Sequence, residues 1–140
     1  MARIQQNDAD KRQRRVMSAS SLSGDRVMNA AGEDLGKIKE IMIDIPTGRV
    51  AYAVLSFGGV LGMGDKLFAI PWDVFPLDED KKQLMVNLDK AGLDNAPGFD
   101  KDNWPDMADR TWGSRIYSYY GISPYWETEE PKTRYGGGAA

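Results

Sequence analysis

Eight apolar and aromatic side chains, Phe57, Val60, Leu61, Met63, Trp72, Trp112, Tyr119 and Trp126, carry the chemistry this sequence offers. Side chains of these types recognise rather than react. Tyr and Trp bring large amphipathic contact area and are favoured anchors of protein interfaces. Trp104, Trp112, Tyr117, Tyr119, Tyr120, Tyr125 and Trp126 crowd into 23 residues. Single-stranded nucleic acid stacks on such rows where basic residues accompany them. Here Arg110 and Arg115 are offset by Asp106 and Asp109, so the row has no net positive charge. It either closes one face or end of the fold as core, or stands exposed as a surface for a protein partner. A second cluster follows Phe57, in Gly58-Gly59-Val60-Leu61-Gly62-Met63-Gly64-Asp65. An apolar, glycine-rich connection is costly to leave in water. It folds back over its own sheet or brings two copies of the chain together. The eight residues are therefore the candidate partner or self-interface.

Other chemistries fail on residue type. The chain has no histidine and no cysteine, which removes the usual near-neutral acid–base group, thiolate nucleophiles, disulfides and most transition-metal sites. Gly59 to Lys66 falls short of a phosphate-binding loop, because Asp65 separates Gly64 from Lys66 and Leu67 replaces the magnesium-binding hydroxyl. Asp78-Glu79-Asp80 and Asp100-Lys101-Asp102 resemble calcium loops only at their first positions, since Lys82 and Trp104 stand where the fifth-position oxygen should be. Paired carboxylates are available, yet 21 acids in 140 residues always offer some pair. The expectation is a chain that is not an enzyme and uses no cofactor and no metal.

Charge narrows the partner. Residues 1–15 carry Arg3, Lys11, Arg12, Arg14 and Arg15 against Asp8 and Asp10, a net +3, and the remainder carries −6 of the total −3. An acidic body repels phosphate backbones, which makes nucleic acid an unfavoured partner. The leader lacks the apolar stretch of a secretory signal. The longest apolar run, Ala51 to Met63, is interrupted by Ser56, Gly58, Gly59 and Gly62 and is too short to span a membrane. The expectation is a cytoplasmic protein with no membrane span.

Those side chains must be positioned by strands. Asp25 to Ala30 reads as a short first strand, and Asn29 to Glu33 as a turn. Leu35 to Ile45 alternates, with Ile41, Ile43 and Ile45 pointing one way and Glu40, Met42 and Asp44 the other. Pro46-Thr47-Gly48 turns the chain. Arg49 to Phe57 is apolar on both faces, which predicts a strand covered on both sides or one closing a barrel. Further strands follow at Lys66 to Ile70 and Leu84 to Leu88, with Asp78 to Lys82 as a solvated turn. Short strands joined by tight turns predict a small antiparallel barrel. A helix is predicted from about Asp106 to Tyr120, where Ala108, Trp112, Ile116 and Tyr120 form one stripe, Asp106 is the N-cap and Gly121 the stop. Gly113 within it costs about 1 kcal/mol against alanine.

Gly24-Asp25-Arg26-Val27, Gly32-Glu33-Asp34-Leu35-Gly36-Lys37-Ile38 and Pro46 to Leu55 follow in an order and spacing that resemble the PRC-barrel family. Phe57-Gly58-Gly59, Leu67-Phe68-Ala69-Ile70-Pro71-Trp72 and Ala96-Pro97 continue the pattern. The family takes its name from the photosynthetic reaction centre, whose H subunit carries such a barrel. A similar barrel forms part of a ribosome-maturation factor, and many short bacterial members stand alone. The resemblance covers about Ser18 to Pro97, and the aromatic stretch after it is similar to the extension of free-standing members. It implies a mostly β fold, a small antiparallel PRC-type barrel followed by an extension with one short α-helix. The sequence shows neither the membrane helix of the reaction-centre subunit nor the second domain of the ribosome factor, so neither role transfers by default.

The expected organisation is a disordered basic leader over 1–17 and a barrel over 18–97. An aromatic extension over 98–127 packs on the barrel, and a flexible tail covers 128–140. The expected function is a non-catalytic protein-interaction or adaptor module, acting as a homodimer with an unidentified protein partner. Two alternatives remain: an accessory to photosynthetic electron transfer, and a ribosome- or RNA-linked assembly factor.

Overall fold

A computed structural model describes residues 16–58, 66–75, 79–80 and 83–127. The expectations for residues 1–15 of the leader, for Val60, Leu61 and Met63, and for the tail lie outside the described residues. The elements run α1 (Ala19–Leu22), β1 (Arg26–Asn29), β2 (Asp34–Asp44), β3 (Arg49–Phe57), β4 (Lys66–Pro71) and a 3-10 turn (Trp72–Val74). They continue with β5 (Glu79–Asp80), β6 (Gln83–Val86), α2 (Lys90–Asp94), β7 (Phe99–Asp100), α3 (Arg110–Tyr120) and a 3-10 turn (Tyr125–Glu127). The fold is mostly β, as the alternating sequence implies.

All seven strands lie in one sheet, in the order β5-β6-β1-β2-β3-β4-β7. The central hairpin β2–β3 is antiparallel and carries two register shifts. Ile38 pairs with Leu55 and Glu40 with Val54, so Lys39 is an extra residue on β2. Met42 pairs with Tyr52 and Ile43 with Val50, so Ala51 is an extra residue on β3. Such bulges increase local twist and bend the strand. Gly36 sets the hairpin's far end: its φ is +103°, and a Cβ there would lie 2.1 Å from the Ser56 carbonyl oxygen. Only glycine lets the two backbones approach this closely.

Two departures from the expected barrel follow from connectivity. Strand β6 pairs β1 in parallel, Arg26 opposite Gln83 through Asn29 opposite Val86. A parallel neighbour needs a long crossover, and here the chain between β1 and β6 supplies it. Among the described residues no ladder joins β5 to β7, so the sheet they form is open.

The sheet has a core on each face. Val27, Leu35, Ile38, Leu55, Phe68, Ile70, Phe75, Leu84, Val86 and Leu93 fill the first. Ala51, Tyr52, Ala69, Ile116 and Tyr117 form the second, between the sheet and α3. Strand β3 is buried from Ala51 through Leu55 because it serves both. The β2 alternation reaches past the first core: Ile41 packs against it, while Ile43 is 45% exposed and Ile45 81%.

The helix of the extension begins later than its stripe predicts. Asp109 is the N-cap and its carboxylate accepts the Thr111 N–H at 2.9 Å. Asp106 caps only the preceding turn, accepting the Ala108 N–H at 3.0 Å. Gly121 stops the helix in the left-handed region, with φ +71°. The short α1 and α2, each one turn of helix capped by Ser18 and Asp89, have no apolar periodicity to announce them.

Candidate interaction site

A shallow groove of about 450 Å³ opens where β2 begins and β3 ends, lined by Asp34, Gly36, Phe57, Gly58, Lys90 and Asp94. Its position follows from local chemistry. Asn29, 5% exposed, accepts the Ala31 and Glu33 N–H groups on its Oδ1 and donates from Nδ2 to the Glu33 carboxylate (2.7 Å) and the Leu88 carbonyl (3.0 Å). The Glu33 carboxylate also accepts the Lys90 N–H at 3.1 Å. The β1–β2 turn is thereby tied to α2, and α2 forms one wall of the groove. Phe57 supplies the apolar floor, half-buried against Phe68 with ring centroids 6.2 Å apart. The Lys90 ammonium stands 6.0 Å from the Phe57 ring centroid. Asp34 is paired with Arg26 on the rim. An apolar centre within a charged rim is the usual anatomy of a protein–protein contact.

The structure divides the eight candidate residues. Phe57 lies in the groove, and Val60, Leu61 and Met63 lie outside the described residues. Trp72 is half-buried on the first core, 5.8 Å from the Phe75 ring. Trp112 and Trp126 are half-buried and pack against the second core. Trp112 stands edge-on to Tyr52 at 5.4 Å, and Trp126 edge-on to Tyr117 at 5.8 Å. Tyr119 is 41% exposed, and its hydroxyl donates to the Gly92 carbonyl, so the extension braces the wall of the groove. The aromatic row is thus spent mainly on holding α3 to the sheet. Gly113 explains itself at this contact: a Cβ would lie 2.7 Å from Tyr52 Oη and 2.8 Å from Trp126 Cη2.

A polar clasp closes the second core. The Asp44 carboxylate accepts from Thr47 Oγ1 at 2.7 Å and from Tyr125 Oη at 2.8 Å, and Arg49 donates to the Tyr125 carbonyl at 2.8 Å. The Arg110 guanidinium lies over the Trp126 ring at 5.3 Å. Burial alone would raise the Asp44 pKa, but the hydrogen bonds from Thr47 and Tyr125 outweigh it and hold the carboxyl below its ordinary value. Burial, then the Asp44 hydrogen bond, push the Tyr125 phenol up to about 12. Burial raises the Tyr52, Tyr117 and Tyr120 phenols further. None of these groups is poised for proton transfer near neutrality.

Among the described residues no three acidic side chains gather as a metal site would require, and no helix is long and apolar enough to cross a membrane. Sequence reasoning passed over Asp34, Lys90 and Asp94. They sit at element ends, where charged residues carry no periodicity. Gly36, Phe57 and Gly58 were visible in the glycine-flanked segments already singled out.

The PRC-barrel domain profile matches residues 14–93, more than half of the chain. A search of curated proteins finds no match. Among solved structures, a 16S ribosomal RNA processing protein, RimM, from Pseudomonas aeruginosa is similar at 19% identity and a TM-score of 0.39. That similarity covers 54% of this chain and 45% of the other, so the chain spans under half of that neighbour's length.

Proposed function

The chain belongs to the PRC-barrel family, and from that premise we propose that it is a non-catalytic adaptor, acting in the cytoplasm as a homodimer and holding a protein partner. One observation carries the reading: the groove at Phe57 combines an apolar floor with Asp34, Lys90 and Asp94 at its rim. With Asp34 paired to Arg26, the rim sets Asp94 against Lys90 and offers no net positive charge, which favours a segment with an apolar anchor over a phosphate backbone. The aromatics of the extension support the same reading from the other direction, because Trp112 and Trp126, both half-buried, pack against the second core rather than standing free as a stacking platform.

Capture from the native cytoplasm tests it, using the tagged full chain, a chain lacking residues 1–15, and Phe57→Asp, with protein and RNA both identified. A protein held by the first two and lost by Phe57→Asp is the expected result. RNA held only by the full chain, and released by salt, would transfer the function to the basic leader and favour the ribosome-linked role. Recovery with pigment-bearing membrane complexes would favour the photosynthetic accessory role.

A further inference from the structure

Trp112, Tyr52, Tyr117, Trp126 and Tyr125 touch in series on the α3 face of the sheet. Between ring centroids, Trp112 stands 5.4 Å from Tyr52 and Tyr52 5.4 Å from Tyr117. Tyr117 lies 5.8 Å from Trp126 and 6.2 Å from Tyr125, and those two are 5.3 Å apart. Rings at these separations are in contact, so an electron passes between neighbours without crossing solvent. Tyr52 and Tyr117 are buried and both tryptophans are half-buried, so the path starts at the surface and runs through the core. The phenols differ in where the hydroxyl proton can go. Loss of an electron makes a phenol a far stronger acid than any carboxylic acid, and oxidation is easy only where a base takes that proton. Tyr52 and Tyr120 Oη meet no partner among the described residues. Tyr117 and Tyr119 donate to the Ala51 and Gly92 carbonyls, and an amide is too weak a base. Among the described tyrosines only Tyr125 donates to a carboxylate, Asp44 Oδ1, at 2.8 Å. Thr47 holds the other oxygen, donating to Oδ2 from its N–H at 3.2 Å and from Oγ1 at 2.7 Å.

We propose that Trp126, Tyr125 and Asp44 form a one-electron donor site whose substrates are diffusible oxidising radicals. The oxidant takes one electron from the Trp126 indole and is itself reduced, leaving an indole radical cation. Tyr125 gives an electron to the indole, which restores it, and passes its hydroxyl proton to Asp44 Oδ1. The products are a neutral tyrosyl radical and an Asp44 carboxylic acid. A reductant of the ascorbate class then supplies one electron, becoming a radical in turn, and the proton returns from Asp44 to the phenol. Trp112 reaches the same site through the rings of Tyr52 and Tyr117. Two guanidiniums set the direction. Arg110 lies 5.3 Å from the Trp126 ring centroid and Arg49 5.5 Å from that of Tyr125. A cation is attracted to the face of a neutral ring and repelled once that ring is itself a cation. The oxidised indole carries that charge, whereas the tyrosyl radical has shed it with its proton. The site lies at the end of β2, away from the groove at Phe57, and does not depend on the adaptor reading.

Pulse radiolysis of the full chain with azide radical as the oxidant tests the site, following the distinct absorbances of indole and phenoxyl radicals. Indole radicals are expected to convert to phenoxyl radicals at a rate independent of protein concentration. A slower, concentration-dependent phase is expected beside it from Trp72 and Trp104, whose ring contacts are with Phe75 and Phe99. Tyr125→Phe is expected to abolish the fast phase. Asp44→Asn keeps an oxygen for the Tyr125 hydroxyl but removes the base, and is expected to slow that phase by about 100-fold. Heavy water is expected to slow it in the wild-type chain, because the hydroxyl proton moves with the electron. Indole radicals that disappear only through encounters between molecules would overturn the site. A fast phase unchanged by Tyr125→Phe would place the radical on another ring and overturn the assignment. One unchanged by Asp44→Asn would remove Asp44 as the proton acceptor. The heavy-water comparison needs no variant, so it decides the proton step even where a substitution unfolds the chain: equal rates in the two solvents would overturn it.

Discussion

Two buried tyrosines on facing elements have opposite hydrogen-bond states. Tyr117 Oη donates to the Ala51 carbonyl at 2.7 Å, satisfying an acceptor exposed by the β3 bulge. Tyr52 Oη is equally buried and meets no partner among the described residues. A buried hydrogen bond contributes about 1 kcal/mol net, whereas an unsatisfied buried hydroxyl costs desolvation with no return. Tyr117→Phe is therefore expected to lower the unfolding free energy by about 1–2 kcal/mol in urea titration. Tyr52→Phe is expected to leave it unchanged or raise it by up to about 1 kcal/mol. Equal losses for the two would show that packing alone decides their contribution. The ring of Tyr52, in contact with Trp112 and Tyr117, accounts for its retention.

At the scale of elements, helix α3 is the decisive addition to the sheet. It buries Gly113, Ile116 and Tyr117 against β3 and β4, and thereby turns an otherwise exposed sheet face into a second core. Its start is set by hydrogen bonding rather than by the apolar stripe, which runs back to Ala108 and so predicts Asp106 as the cap in place of Asp109. Asp109→Ala is expected to cost about 1 kcal/mol of stability, and Asp106→Ala a few tenths, by the same urea titration. The stripe was legible because Trp112, Ile116 and Tyr120 recur at helical spacing. The start was not, because two aspartates three residues apart both precede it and only one meets the N–H of a helical residue.

The whole molecule is held at its far side by contacts between distant segments. Asp44 at the end of β2 and Tyr125 beyond α3 meet across 81 residues of chain. Their protonation links this contact to pH. Asp44 has its folded pKa below the ordinary 3.8, so its contribution is present above that value and is lost as pH falls through the lower folded one. Tyr125 has its folded pKa above the ordinary 10.0, at about 12. Its contribution is complete below 10 and disappears as pH rises toward 12. Stability measured against pH is thus expected to fall at both extremes, and Asp44→Asn is expected to flatten the acid limb below about pH 4. An acid limb unchanged by that substitution would remove Asp44 from the account. The alkaline fall is expected to coincide with late tyrosinate absorbance, since Tyr52, Tyr117 and Tyr120 are also raised.

By itself, the sequence determined the mostly β class, the β2–β3 hairpin, the placement of an aromatic helix after the sheet and the absence of histidine and cysteine chemistry. These depend on composition or on periodicity within one segment, and the chain states both directly. Tertiary structure decided the rest. The parallel pairing of β1 with β6 joins residues more than 50 positions apart, and no local pattern encodes that neighbour. Whether an aromatic becomes core or surface depends on what lies opposite: Trp112 finds Tyr52, while Ile43 and Ile45, equally apolar in sequence, extend past the end of the first core. The groove at Phe57 likewise arises where two element ends and a short helix converge, and convergence in space leaves no spacing to read.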